Sequence, residues 1–75
     1  MNEKCSLTSF EMRDLCIREN WFTSGSIRQY ERLFQKLKRG VSLHDVALII
    51  WICSNNVSVE QIETKIRKEQ ENKRW

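Results

Sequence analysis

Four helix starts recur at even spacing along this chain, and they restrict the fold more than any other feature of the sequence. Each is a capping box, in which a serine or threonine precedes by three residues a side chain that can bond back to the backbone. The boxes, sixteen to eighteen residues apart, are Thr8–Glu11, Ser26–Gln29, Ser42–Asp45 and Ser58–Gln61. With two glycines and no proline, the chain favours helices joined by short turns over a β fold with many turns.

The capping boxes and the stops that follow them predict helices over residues 8–20, 26–39, 42–54 and 58–72. We expect one compact all-α four-helix domain over residues 1–75, with the small core that such a length allows. The tail of the fourth helix is expected to fray. Its Glu63–Arg67 and Glu69–Lys73 pairs have i,i+4 spacing, which predicts a mainly solvated helix.

Eight consecutive apolar residues, Val46 to Cys53, predict that the third helix is the apolar centre of the domain. Two arrangements fit this run. Either the other three helices enclose it fully, or a strip of it stays exposed and joins a second copy or another protein. The run is shorter than the roughly 20 residues of a membrane span, so we expect a soluble, cytoplasmic protein.

The second predicted helix carries most of the positive charge. Its cations follow one another at helical spacing beside a buried apolar stripe: Arg28, Arg32, Lys36 and Arg39. Glu31 is the only acidic residue between positions 27 and 39. Such a row is either a solvated face or a surface that meets phosphates or an acidic protein.

Aromatic side chains near this row complete the predicted contact surface. Trp21 and Phe22 follow the first helix and are expected to close one end of the core, and Tyr30 lies on the second helix. Arginine and aromatic residues dominate the energetics of many protein interfaces. We therefore predict a non-catalytic binding protein that docks on a larger protein or ribonucleoprotein complex and needs no cofactor.

A helix-turn-helix DNA-binding regulator is the alternative, built from the third and fourth helices with a polar turn between them. Its recognition face would carry Ser58, Gln61, Lys65 and Lys68. Three features oppose this alternative. The usual turn glycine is absent, the first helix of the motif is very apolar, and Glu60 and Glu63 would face the phosphates.

Catalysis and metal binding find little support in the sequence. The single histidine, His44, precedes Asp45, which points about 100° away around the helix, so neither side chain orients the other. The spacing of Cys5, Cys16 and Cys53 lacks the short ligand pairs of zinc sites. We predict reduced thiols, no catalytic residues and no metal.

Two segments, "ENWFTSGSIRQYERLF" and "LHDVALIIWICS", carry a resemblance that covers roughly Glu19 to Ser54. Here the chain resembles small uncharacterised helical proteins of phages and mobile elements of low-GC Gram-positive bacteria. The resemblance implies an inhibitor of host defence, such as an anti-CRISPR protein, or a small regulator in the cytoplasm of a bacterial host. The net charge of +3 argues against mimicry of DNA by such an inhibitor.

Overall fold

The fold consists of short helices around one apolar core. The computed structural model describes residues 3–23, 25–37 and 41–73. Within these ranges the helices are α1 (Ser9–Arg18), α2 (Ser26–Gln35), α3 (Leu43–Cys53) and α4 (Val59–Asn72). The radius of gyration is 11.3 Å, close to the value of about 11 Å expected for a compact chain of this length. The predicted compact all-α fold with four helices is thereby confirmed for the described residues.

Capping explains three of the four helix starts. Thr8 forms the complete box, because its hydroxyl accepts the Glu11 N–H while the Glu11 carboxylate accepts the Thr8 N–H. The hydroxyls of Ser42 and Ser58 likewise accept the backbone N–H three residues ahead. The box predicted at Ser26 is wrong: Ser26 is already helical, Gly25 is the N-cap, and the Ser26 hydroxyl contacts the Thr23 hydroxyl instead.

Three helices end before the predicted residue. α1 ends at Arg18, where residue 20 was predicted, and α3 at Cys53, where residue 54 was predicted. α2 ends at Gln35, with Lys36 as its C-cap, and Leu37 is already non-helical. The prediction of a helix to residue 39 is therefore wrong by two residues at positions 36 and 37, while residues 38–40 lie outside the described ranges. Asn20, two residues after the end of α1, adopts a left-handed φ of 55°, a conformation that asparagine tolerates at helix ends.

The core combines side chains from every helix and from the segments around α1. α3 packs against both α2 and α4. The buried residues are Leu7, Met12, Leu15, Cys16, Trp21, Tyr30, Leu43, Val46, Ala47, Ile50, Cys53, Ile62 and Ile66. α3 is not fully enclosed, because Trp51 is 49% and Ile52 59% exposed. The arrangement with complete wrapping is wrong for these two residues, since three short neighbours cannot cover every side of α3.

The segment before α1 lies alongside the start of α3. The Cys5 N–H donates to the Val41 carbonyl (3.0 Å), and the Leu43 N–H donates to the Glu3 carbonyl (2.6 Å). Together with the Lys4–Ser42 bridge, these bonds form a short antiparallel pairing. It brings Leu7 into the core and holds the Glu3 carboxylate beside α4.

Ion pairs and hydrogen bonds join α4 to α1 and to the segment before it. The pairs are Arg18–Glu69, Lys65–Glu19 (3.3 Å), Arg67–Glu3 (3.0 Å) and Lys73–Glu11 (2.7 Å). The predicted Glu63–Arg67 contact is present at 3.8 Å. The predicted Glu69–Lys73 pair is wrong, because each partner bonds to α1 instead. α4 ends at Asn72, the predicted end of the fourth helix. The predicted fraying stays a prediction, and residues 74–75 lie outside the described ranges.

Acid should weaken the contact between α4 and α1. The bond from Lys73, together with the capping bonds at Thr8, lowers the pKa of Glu11 from 4.5 to about 2. Because this pKa is lower in the folded state, the stabilisation is complete above about pH 4.5 and is lost as the pH falls toward 2. Urea unfolding at about pH 5 and pH 3 should show a smaller loss of stability for Glu11→Gln than for the wild type.

Glu71→Gln is the matched control for this measurement. Glu71 is exposed on α4 and forms no ion pair with the described residues. This variant should follow the wild-type dependence on pH. Parallel curves for wild type and Glu11→Gln would contradict the assignment.

Candidate functional site

The outer face of α2 carries positive charge that the described part of the chain leaves uncompensated. Arg28, Arg32 and Lys36 are all exposed, and none forms an ion pair with another described residue. We call these three residues the basic stripe. Glu31 does not neutralise it, because its carboxylate is bonded to Arg13 on α1 at 3.3 Å. Arg39, the fourth predicted member, lies outside the described residues.

Most of the other cations in the described ranges are paired, which sets the basic stripe apart. Each of Arg13, Arg18, Lys65, Arg67 and Lys73 lies within ion-pair distance of a carboxylate. Beyond the basic stripe, only Lys4 and Lys68 lack such a partner within the described ranges. Positive potential is therefore concentrated along one side of α2, where it can attract a negatively charged surface.

Two of the three predicted aromatic contacts belong to the core. Trp21 is 3% and Tyr30 2% exposed, so the prediction that they meet a partner from the surface is wrong. Trp21 follows the turn at Asn20, where its N–H donates to the Cys16 carbonyl (3.2 Å) and its side chain is directed inward. Phe22 is half-buried and packs beside Tyr30, with ring centroids 5.1 Å apart. Of the three, Phe22 keeps surface next to α2.

Tyr30 also has a buried hydroxyl with no hydrogen-bond partner among the described residues. Burial raises the pKa of this phenol above its ordinary value, so it stays neutral at all physiological pH. The ring itself packs between Phe22 and Phe34. The aromatic ring therefore contributes to stability, whereas the hydroxyl opposes it.

Replacing Tyr30 by phenylalanine should stabilise the protein. The change removes an unsatisfied polar group and keeps the ring, so we expect the free energy of unfolding to rise by about 1 kcal/mol. Tyr30→Ala is the comparison and should lose about 3–5 kcal/mol through the cavity it leaves. Denaturant titration measures both. A marked loss of stability in Tyr30→Phe would mean that the hydroxyl is bonded.

A groove between α1 and α2 was not predicted from the sequence. Phe10 is 79% and Ile17 56% exposed, and both lie on the side of α1 opposite its buried residues. Two open cavities lie beside them. The larger, of about 380 Å³, is lined by α1 and α2, and the smaller, of about 190 Å³, by α1, the turn before α2 and Ile27 at the start of α2. A sequence signal for this groove existed: α1 carries apolar residues on two opposite faces, although only one face of a short surface helix is normally buried.

The four residues predicted to contact DNA differ in whether other residues already bond to them. Gln61 and Lys68 are exposed on α4. The Ser58 hydroxyl accepts the Gln61 N–H at 3.1 Å as part of the helix cap, and Lys65 bonds Glu19. Of these four residues, Gln61 and Lys68 are exposed and their side chains bond to no other described residue.

His44 has an orienting partner that the sequence did not predict. Its Nδ1 contacts the Glu63 carboxylate on α4, which links the start of α3 to its neighbour. Cys53 lies at the other end of α3, about 13 Å along the helix at 1.5 Å per residue. His44 is thus a surface link between two helices, at a distance from the thiol on its own helix.

The cysteines are free thiols within the described ranges. Burial raises the pKa of Cys16 to about 12 and also raises that of Cys5 and Cys53. These thiols stay protonated at neutral pH, and the thiol is a much weaker nucleophile than the thiolate. In the described part of the chain, histidine, cysteine and acidic side chains form no group of three that could hold a metal ion.

Comparison with family models, curated proteins and solved structures finds no match to this chain. The resemblance to phage and mobile-element proteins therefore stays a prediction. Among the described helices, none has both the length and the apolar character needed to cross a membrane.

Proposed function

We propose that this chain is a non-catalytic binding protein that docks through α2 on an acidic surface of a larger protein or ribonucleoprotein complex. The observation that carries the proposal is the basic stripe: three exposed cations in a row, without ion-pair partners among the described residues, most of whose other cations are paired. Electrostatic complementarity of this kind speeds encounter and selects partners.

The surroundings of the basic stripe support the same proposal. Phe22 packs on the core from the turn that precedes α2 and keeps part of its surface exposed. Phe22 and Ile27 line the same cavity, and Arg28 follows Ile27 in the chain. Aromatic and arginine side chains are both common interface anchors.

The biological context of the proposal comes from the sequence resemblance. Small proteins of phages and mobile elements often inhibit or modulate host complexes, including defence and nucleic-acid-processing machinery. We propose an inhibitor or modulator of this class, acting in the bacterial cytoplasm by occupying a surface of its target. The positive stripe suits an acidic protein surface or the phosphates of a bound guide RNA.

Reversing charge within the basic stripe tests the proposal. Arg28→Glu with Arg32→Glu should abolish capture of the partner from a nuclease-treated lysate of a low-GC Gram-positive host, because the acidic surface would then be repelled. Stability should change by less than about 0.5 kcal/mol, since both side chains are exposed. Lys4→Glu with Lys68→Glu is the matched control, with the same change in net charge, and should retain the partner.

Two outcomes would overturn the docking proposal. One is capture that survives reversal at Arg28 and Arg32. The other is equal loss in the control variant, which would indicate a response to net charge alone.

The helix-turn-helix alternative has support of its own in the exposure of Gln61 and Lys68 on α4. Titration with duplex DNA at about 50 mM and 200 mM salt decides it, because each phosphate contact makes affinity fall steeply with salt. We expect no appreciable duplex affinity. Salt-dependent binding that is lost in the Lys4→Glu, Lys68→Glu variant and kept in the Arg28→Glu, Arg32→Glu variant would favour the DNA reader.

A further inference from the structure

The groove between α1 and α2 has a regular internal spacing. Phe10 and Ile17 on α1 are seven residues apart, as are Ile27 and Phe34 on α2. Phe10 and Phe34 line one cavity, and Ile17 and Ile27 line the other. The two helices therefore run in opposite directions along the groove, with the cavities about two helical turns, or roughly 10 Å, apart.

An ion pair lies in the wall of the larger cavity. Arg13 and Glu31 approach to 3.3 Å, three or four residues from each apolar position. Both side chains are about half exposed, so the pair is weakly held and compensates its own charge. An occupant of the groove would accordingly insert one apolar side chain on each side of this ion pair.

The α1 side and the α2 side of the groove, which we call its two banks, differ in charge. On α2, Arg28 and Arg32 each follow a groove-lining residue by one position, which places them about 100° around the helix, on the outer bank. Gln35, in the same row, lines the larger cavity. On α1, Asp14 is bonded to Arg18 at 2.8 Å. One bank is thus positive and the other is neutralised.

We infer that this groove binds an amphipathic helix of the partner, with two apolar side chains seven residues apart and acidic side chains along one flank. The apolar pair would fill the two cavities, and the acids would meet Arg28 and Arg32. Helix-in-groove recognition uses such i and i+7 anchors. The inference rests on the proposed docking function and specifies the chemistry of the partner at that surface.

A second copy of this chain fits the groove less well. The exposed apolar pair of its own α1 also has seven-residue spacing, but the neighbouring Asp14 is bonded to Arg18 and Glu11 is bonded to Lys73. A second α1 would therefore bring no unpaired acid to the basic bank. The charge of the groove favours a partner that carries free carboxylates.

A synthetic peptide probes the groove directly. We would use a helix-stapled, fluorescently labelled peptide of about 18 residues with two leucines seven apart and glutamates on one flank; the staple is needed because short helices are marginal in water. Fluorescence anisotropy should show saturable binding to the full chain. A peptide of the same composition with leucines five apart, and one with lysines replacing the glutamates, should bind at least about tenfold more weakly.

Matched variants of the protein locate the peptide. Phe10→Ser with Ile17→Ser, and Arg28→Glu with Arg32→Glu, should each weaken binding at least about tenfold. Trp51→Ser with Ile52→Ser removes exposed apolar surface from α3 instead and should stay within about twofold, as should Lys4→Glu with Lys68→Glu. All six side chains of the apolar and arginine variants are exposed, so folding, checked by circular dichroism, should be retained.

The outcomes separate this inference from the docking proposal. Cellular partner capture that fails with the Arg28, Arg32 variant but survives the Phe10, Ile17 variant would overturn the groove and leave docking intact. Another outcome is that the peptide binds with the expected pattern across the variants while neither the Arg28, Arg32 variant nor the Phe10, Ile17 variant changes capture of the cellular partner. That result would support the groove and overturn docking. A wild-type dimer in sedimentation that Phe10→Ser with Ile17→Ser dissociates would assign the groove to a second copy and overturn the acidic helix.

Discussion

The small ratio of volume to surface is the constraint on which the rest of this structure depends. A chain of 75 residues can bury roughly one face of each helix. α3 has more apolar surface than its neighbours can cover, and Trp51 and Ile52 remain exposed although Val46 and Ile50 are buried. The exposed apolar groups of α1 have the same origin. Surface available for binding is thus a direct result of an apolar sequence in a short chain.

Charged side chains take over where apolar packing runs short. α1 contributes Met12, Leu15 and Cys16 to the core, and a row of ion pairs connects its remaining side to α4. Exposed ion pairs contribute little individually, yet they pair the acidic residues of α1 and of the segment before it. The only acidic residue of α2, Glu31, is paired with Arg13 on α1. The cations of the basic stripe are therefore left without an ion-pair partner among the described residues.

Local sequence signals predicted the helices well and the contacts between distant segments poorly. The caps at Thr8, Ser42 and Ser58 depend on neighbouring residues and could be found from the sequence, as could the inward Ile62 and Ile66 of α4. Pairings across the fold could not. Helical spacing predicted that Lys73 pairs with Glu69, four residues away, whereas in the folded protein Lys73 pairs with Glu11, 62 residues away.

The candidate site was likewise predictable only in part. Cation spacing on α2 could be read from helical periodicity, and Arg28, Arg32 and Lys36 are indeed exposed. The burial of Trp21 agrees with its predicted place at one end of the core, whereas Tyr30, in the middle of α2, was assigned to the contact surface and is buried instead. The groove beside α1 required the positions of two helices relative to each other, since its lining comes from both.

The short antiparallel pairing of the segment before α1 has a consequence for how the protein is made. Glu3 bonds Arg67 and Gln70, and the Ser6 N–H donates to Gln70, so contacts there span 64 to 67 positions of the chain. Residues 3–6 are synthesised before α4, so these contacts cannot form until α4 has also been synthesised and has left the ribosome.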